Sequence, residues 1–300
     1  MLNINELIPP SLPHMRLDSV IGRGGMSTVW RGRDLAMDRP VAVKVLSRDF
    51  TASSADIQQF LNEARMMTRV HHPGIVHAYD MNCVNGLYYI VMELVDGYTF
   101  AQRVARKGPI SESDALIIAE SVAVALGYAW DKHHIVHCDI KPENLMIHSD
   151  GTVKVADLGL CRSLANRTAS SADDEVIGTP GYISPEQVYG DSTIDCRADI
   201  YSLGASLYQM TTTHMLFEGR NNEDMLRAHV DASQAIDPRL YVEKLSGPFA
   251  ELLEHMTVKD KSMRYANWSD VLRDVQLVES GYHLPPLPHA ALSSIHLLQE

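Results

Sequence analysis

Residues 135–147 read Ile-Val-His-Cys-Asp-Ile-Lys-Pro-Glu-Asn-Leu-Met-Ile, IVHCDIKPENLMI. An aspartate, Asp139, stands two residues after His137; Lys141 lies two residues further on and Asn144 five. A carboxylate, an ammonium and an amide in so short a run point to chemistry. Cys138, between His137 and Asp139, is the odd member. Downstream, NLMIH and VKVAD read as two short strands joined by the turn SDG, and Asp157-Leu158-Gly159 follows. Upstream, ISESDALIIAESVAVALGYAWDKHH reads as a long helix with Ser111 as its N-cap. Leu116, Ala119, Val122, Ala123, Leu126 and Trp130 recur every three or four residues. Its mixed flanks predict near-complete burial.

Outside that centre the chain changes character twice. RLDSVIGRG, STVWRGRD and RPVAVKVLS are short strand-like runs broken by glycine and proline. SADIQQFLNEARMMTRV has helical spacing, with Phe60, Leu61, Ala64, Met67 and Thr68 on one stripe. IVHAYDMNC and LYYIVMELV are strands again, with VNG as a hairpin turn. After Gly97 helices dominate, and ADIYSLGASLYQM is apolar on most faces, as a buried central helix would be. The expected plan is α+β: an antiparallel-sheet lobe with one helix over 16–95 and a mainly helical lobe over 96–280. Residues 1–15 form an extension and 281–300 a proline-bearing tail.

The 300 residues fit two lobes, and 45% hydrophobic with 21% charged residues is ordinary globular composition. A net charge of −12 argues against a nucleic-acid-binding surface and favours basic partners. The four cysteines form neither a close metal pair nor a secreted disulfide pattern, which makes a reducing compartment the default. No run reaches the roughly 18 apolar residues of a membrane span, and the N-terminus lacks signal-peptide character. A cytoplasmic protein is expected. Oligomeric state is not readable.

Two further features bear on chemistry. Gly22, Gly24 and Gly25 lie between strand candidates, with Ser27 and Val29 following. Such glycines build a tight hairpin or let a backbone approach phosphate oxygens. A dinucleotide loop is disfavoured, because STVWRGRD continues as a strand where that loop needs a helix. Lys44 ends the apolar run VAVK and must face solvent or find a partner, for which Glu63 on the following helix is a candidate.

In order along the chain, these motifs read GRGGMSTV, VAVK, HCDIKPEN, DLG and SPE. The offsets are 19 from Lys44 to Glu63, 5 from Asp139 to Asn144 and 18 from Asp139 to Asp157. From about Leu17 to Val278 the chain resembles the eukaryotic-type protein kinases, in particular the bacterial serine/threonine kinases.

The resemblance implies a bilobal kinase fold and Mg²⁺-dependent transfer of the ATP γ-phosphate to protein serine or threonine, with autophosphorylation expected. It implies that Lys44, held by Glu63, grips the α/β-phosphates. Asp157 and Asn144 would bind Mg²⁺ through oxygen. Asp139 would accept the hydrogen of the acceptor hydroxyl, and Lys141 would lie near the transferred phosphate. Ile21, Gly22, Gly24, Gly25, Ser27, Val29, Ala42 and Met146 would surround the nucleotide. Met92, Glu93, Leu94 and Val95 would form gatekeeper and hinge. GTPGYISPEQ, 178–187, resembles a peptide platform: Thr179 would reach Asp139 and Lys141, and Glu186 would pair with Arg264. Asp199 would brace the catalytic loop.

The chain departs from the family at Ser27, a third glycine elsewhere, at Leu158, usually phenylalanine, and at Cys138, usually arginine. That arginine pairs with a phosphorylated activation-segment residue, a contact cysteine cannot make. The acidic run Asp173, Asp174 and Glu175 is a candidate substitute for phosphate, against Arg162 or Arg167. A redox link between Cys138 and Cys161 is a further candidate. The alternatives are a pseudokinase scaffold and a small-molecule phosphotransferase. The first is disfavoured by retention of Lys44, Asp139 and Asp157, the second by the peptide platform.

Overall fold

The computed structural model describes residues 9–24, 27–47, 54–158, 178–231 and 237–287, without the side chains at 54–56, 59 and 63. The chain divides into two compact units, Met1–Asp96 with Asp157–Gly159, and Gly97–Ala156 with Leu160–Glu300.

The first unit is a five-stranded antiparallel sheet with one helix. Its strands are β1 (Met15–Arg23), β2 (Ser27–Asp34), β3 (Arg39–Leu46), β4 (Ala78–Val84) and β5 (Leu87–Glu93), in the order β1-β2-β3-β5-β4. Helix α1 spans Ser54–Met67; of the expected stripe Phe60, Ala64 and Met67 are buried, and Leu61 and Thr68 are half-buried. The β4–β5 hairpin turns at Asn85 and Gly86, both at positive φ (52° and 76°). That is the pair of left-handed residues a two-residue hairpin needs.

Strand alternation sorts β3 into two faces. Val41, Val43 and Val45 join Leu12, Leu17, Trp30, Tyr89 and Val91 in one buried apolar cluster. Ala42 and Lys44 point the other way. Register sets Ala42 opposite Met92, and Lys44 between Val29 and Ile90. The face that carries the lysine is therefore not the face that holds the sheet's core.

The second unit is mainly helical. Its small sheet is β6 (Gly97–Thr99), β7 (Leu145–His148) and β8 (Val153–Val155), in that order. Gly97 is required there, since a Cβ would stand 1.8 Å from the Ile147 carbonyl oxygen. The helices are α2 (Phe100–Lys107), α3 (Glu112–His133), α4 (Pro185–Val188), α5 (Cys196–Thr212), α6 (Asn222–Val230), α7 (Gly247–Thr257) and α8 (Trp268–Glu279). The expected caps and turns form: Ser111 Oγ accepts the Asp114 N–H at 3.1 Å, opening α3. Strand β6 and helix α2 went unread in the sequence, one too short and the other too polar to show a periodic apolar signal.

Helix α5 is the expected buried axis, with 15 of its 17 residues buried. Its buried serine hydroxyls bond back one turn, Ser202 to the Ala198 carbonyl and Ser206 to that of Ser202. Helix α3 corrects an expectation. It packs against α5, α8 and β8, but Ile117 and Val124 stay 49% and 45% exposed. Three neighbours cover three sides of a cylinder and leave the fourth. Among the described residues α3 alone has the length and composition to cross a membrane, and half of its apolar stretch is buried within the protein.

Candidate active site

In the second unit the residues around Asp139 form one bonded constellation. Asp199, in the first turn of α5 and 1% exposed, accepts the His137 N–H at 2.6 Å and the Cys138 N–H at 2.7 Å. Burial pushes its carboxyl up to about 6, against those two bonds, which favour the charged form. His137 is fully buried; its Nδ1 accepts the Asp139 N–H at 3.3 Å, and Nε2 donates to the Ala156 carbonyl at 2.9 Å. Cys138 has φ 64°, the left-handed region that side chains beyond glycine rarely enter. The Asp199 bonds help hold it there.

The Asp139 carboxylate accepts the Thr179 hydroxyl at 2.7 Å, lies 2.7 Å from Lys141 Nζ, and accepts from Asn144 Nδ2 at 3.2 Å. Lys141 Nζ in turn donates to Thr179 Oγ1 at 2.7 Å. Asn144 gives its other contact to the Asp139 carbonyl at 2.9 Å, so its amide nitrogen is committed and its oxygen is the end left for a cation. Met146 lies on β7, paired with Thr99 and Lys154. This places a buried carboxylate, 8% exposed, under a short relay of hydroxyl and ammonium groups.

The peptide platform is tied down from below. Arg264, its side chain fully buried, donates to Glu186 at 2.7 and 3.2 Å. It also donates to the carbonyls of Val258, Arg197 and Lys259. Nearby, Tyr201 and His229 Nδ1 share a 2.8 Å hydrogen bond, and Phe217 meets the imidazole edge-on. Burial first, then Lys259, lower the His229 imidazole to about 4. A folded pKa below the unfolded one means stability present above the unfolded value and lost as pH falls toward the folded one. Relative to His229→Gln, the parent should lose on the order of 2 kcal/mol between pH 7 and 4, read by urea unfolding. Equal pH slopes for the two proteins would refute this.

In the first unit Lys44 Nζ lies 3.1 Å from Asp157 Oδ1. Asp157 has φ 55°, and its neighbour Leu158 is buried, the apolar anchor expected there. Glu63 falls on α1, but its side chain lies outside the described residues, as does Gly25. The Gly24 N–H donates to the Ser27 carbonyl at 2.8 Å, and Gly22 pairs with Val29. Ile21 is exposed, whereas Ser27, Ala42, Met92 and Val95 are buried. Glu93 donates its N–H to the His77 carbonyl at 2.9 Å, which commits that donor. Cys161, Arg162, Arg167, Thr168, Ser170, Ser171 and the run 173–175 lie outside the described residues.

Among the described residues no three His, Cys, Asp or Glu side chains gather as a metal cage. A hard cation carried by phosphates needs only one or two protein oxygens. Asp157 in the first unit and the Asn144 amide in the second each carry an oxygen of that type.

A loop braced by a buried aspartate and followed by a platform pinned by a buried arginine is the arrangement that the kinase resemblance implies. The protein kinase domain family profile matches residues 15–275, and the chain belongs to that family. It is similar to serine/threonine-protein kinase PrkC of Bacillus subtilis, 33% identical over 257 residues, covering 86% of this chain and 39% of PrkC. It is similar to PknB of Mycobacterium leprae, 36% identical over 278 residues, covering 91% of this chain and 44% of PknB. PknL of Mycobacterium tuberculosis is 33% identical over 267 residues, covering 88% of this chain and 65% of PknL. The chain thus spans less than half the length of PrkC and PknB.

Proposed function

We propose that this chain is the catalytic part of a serine/threonine protein kinase that uses ATP and Mg²⁺. The observation that carries this reading is the Asp139–Thr179–Lys141 relay. ATP would supply the transferable phosphoryl group, and Mg²⁺ would offset its charge. Asp139 would accept and aim the acceptor hydroxyl. Lys141 would neutralise charge as it shifts toward that oxygen. Lys44 would hold phosphate oxygens, and Asp157 and Asn144 would each offer an oxygen to the metal. Thr179, bonded to both catalytic side chains, would couple a correctly seated peptide to a correctly aimed carboxylate.

The test is transfer of labelled phosphate from Mg·ATP to a basic protein, with acid hydrolysis of the product. Phosphoserine or phosphothreonine supports the reading. No transfer would favour a scaffold, and label only on small molecules a different phosphotransferase. Autophosphorylation, mapped by mass spectrometry, belongs to the same proposal.

The finer proposal concerns control. The usual arginine receptor for an activating phosphate is replaced by Cys138, whose Sγ lies 3.9 Å from the Val136 carbonyl. Activity should therefore need activation-segment phosphate less than usual. The variant Thr168→Ala/Ser170→Ala/Ser171→Ala should keep initial rates within about 10-fold, since the ordering contacts such a phosphate adds number only a few. A loss of about 100-fold or more would sink the idea.

A further inference from the structure

Gln187 has no part in the roles above, yet it is 7% exposed and bonded at both ends of its amide. Its Oε1 accepts the Ser184 N–H at 3.1 Å and the Ser184 hydroxyl at 3.0 Å. The spacing Ser-x-x-Gln thus lets the Gln187 side chain reach back to the first residue of the helix start, while the Gln187 N–H donates to the Ser184 carbonyl at 3.0 Å. Its Nε2 donates to the Cys138 carbonyl at 2.8 Å, across 49 residues of chain. A glutamate would serve the cap equally well. Only glutamine can also donate.

The peptide unit between Cys138 and Asp139 is thereby held at both ends, its carbonyl by Gln187 and its N–H by His137 Nδ1. With the Cys138 N–H on Asp199, every backbone polar group from Cys138 N to Asp139 N has a buried partner. A peptide plane that cannot rotate fixes the direction in which the Asp139 side chain leaves the backbone. The strained φ of Cys138 raises the need for such bonds, because a looser plane could relax toward ordinary dihedrals.

We propose that Gln187 is a positioning residue for Asp139, linking the short helix at the end of the peptide platform to the catalytic carboxylate. The proposal rests on the kinase reading of Asp139. It assigns the glutamine a job separate from that of its neighbour Glu186, which binds Arg264.

Gln187→Glu and Gln187→Leu separate the two functions. Glutamate keeps the cap but loses the donor at neutral pH; leucine loses both. In each, kcat for peptide phosphorylation should fall about 10-fold, because a buried carbonyl is left unpaired and the carboxylate is free to wander. KM for ATP should stay within about twofold, as expected when an interaction specific to the transition state is lost. For Gln187→Glu the loss should shrink as pH is lowered, since the protonated acid regains an O–H donor. Gln187→Leu should show no such recovery. Amide hydrogen exchange over residues 137–142 should speed up in both, a readout independent of catalysis.

If the parent transfers phosphate and Gln187→Glu matches its kcat within twofold, the assignment is wrong. It is equally wrong if KM for ATP and kcat change together, or if Gln187→Glu melts like an unfolded protein, because the role is then structural. If the parent transfers no phosphate, the enzyme reading fails. The exchange data then decide by themselves whether Gln187 holds the loop.

Discussion

Asp139→Asn should reduce peptide phosphorylation by about 1,000-fold, within the range expected for removing a positioned proton acceptor. The substitution is nearly isosteric, so the loop should survive. What changes is the chemistry of one atom. Asp139 Oδ1 accepts the Thr179 hydroxyl at 2.7 Å, and the carboxylate stands 2.7 Å from Lys141 Nζ. An amide has one acceptor oxygen where the carboxylate has two, and its NH2 group would face an ammonium or a hydroxyl donor. It also cannot take a proton at neutral pH. Nucleotide affinity should stay within about threefold, because the phosphate-side groups Lys44 and Asp157 are untouched. Initial rates with labelled ATP, paired with a fluorescence titration of nucleotide, measure both. A variant retaining a tenth of parental activity would show that Asp139 is not the group that receives the hydroxyl.

The second large effect is on folding. Arg264→Met should destabilise the protein by about 3–5 kcal/mol, the usual cost of stranding one member of a buried ion pair. Its partner Glu186 is 5% exposed and would be left buried without its ion partner. Three backbone carbonyls would lose a donor as well. For a chain of this size that corresponds to a drop of order 10 °C in melting temperature, measurable by calorimetry. The double variant Arg264→Met/Glu186→Leu should recover much of the loss, since apolar side chains of similar volume are tolerated where charges were paired. A single variant melting within about 2 °C of the parent would show that the pair contributes little.

The sequence was most informative where function restricts residue type. Lys44, Asp139, Lys141 and Asn144 stand out in the string because an ammonium in an apolar strand, or a carboxylate, an ammonium and an amide in one short run, are unusual. Asp157, Thr179, Asp199 and Arg264 could be named only through the family likeness, since a lone aspartate, threonine or arginine in a string looks like surface polarity. Gln187 shows what was left unread. Its capping spacing to Ser184 is visible in the sequence, but its second bond reaches a residue 49 positions away. No local pattern reports a contact at that distance. The exposed line on α3 was missed for a related reason. Composition says that a helix can be buried, and only the neighbours decide how many of its sides are covered.

The left-handed backbone at Cys138 has a consequence for descent. Its N–H and carbonyl are secured by Asp199 and Gln187, so no backbone bond depends on which side chain stands there. The side chain at this position can be exchanged without rebuilding the loop. Cysteine and arginine codons are one base apart. A lineage with this arrangement can thus gain or lose a phosphate receptor in a single mutational step, with the catalytic aspartate unmoved. Whether such an enzyme waits for a signal or runs without one becomes a trait open to rapid, reversible selection.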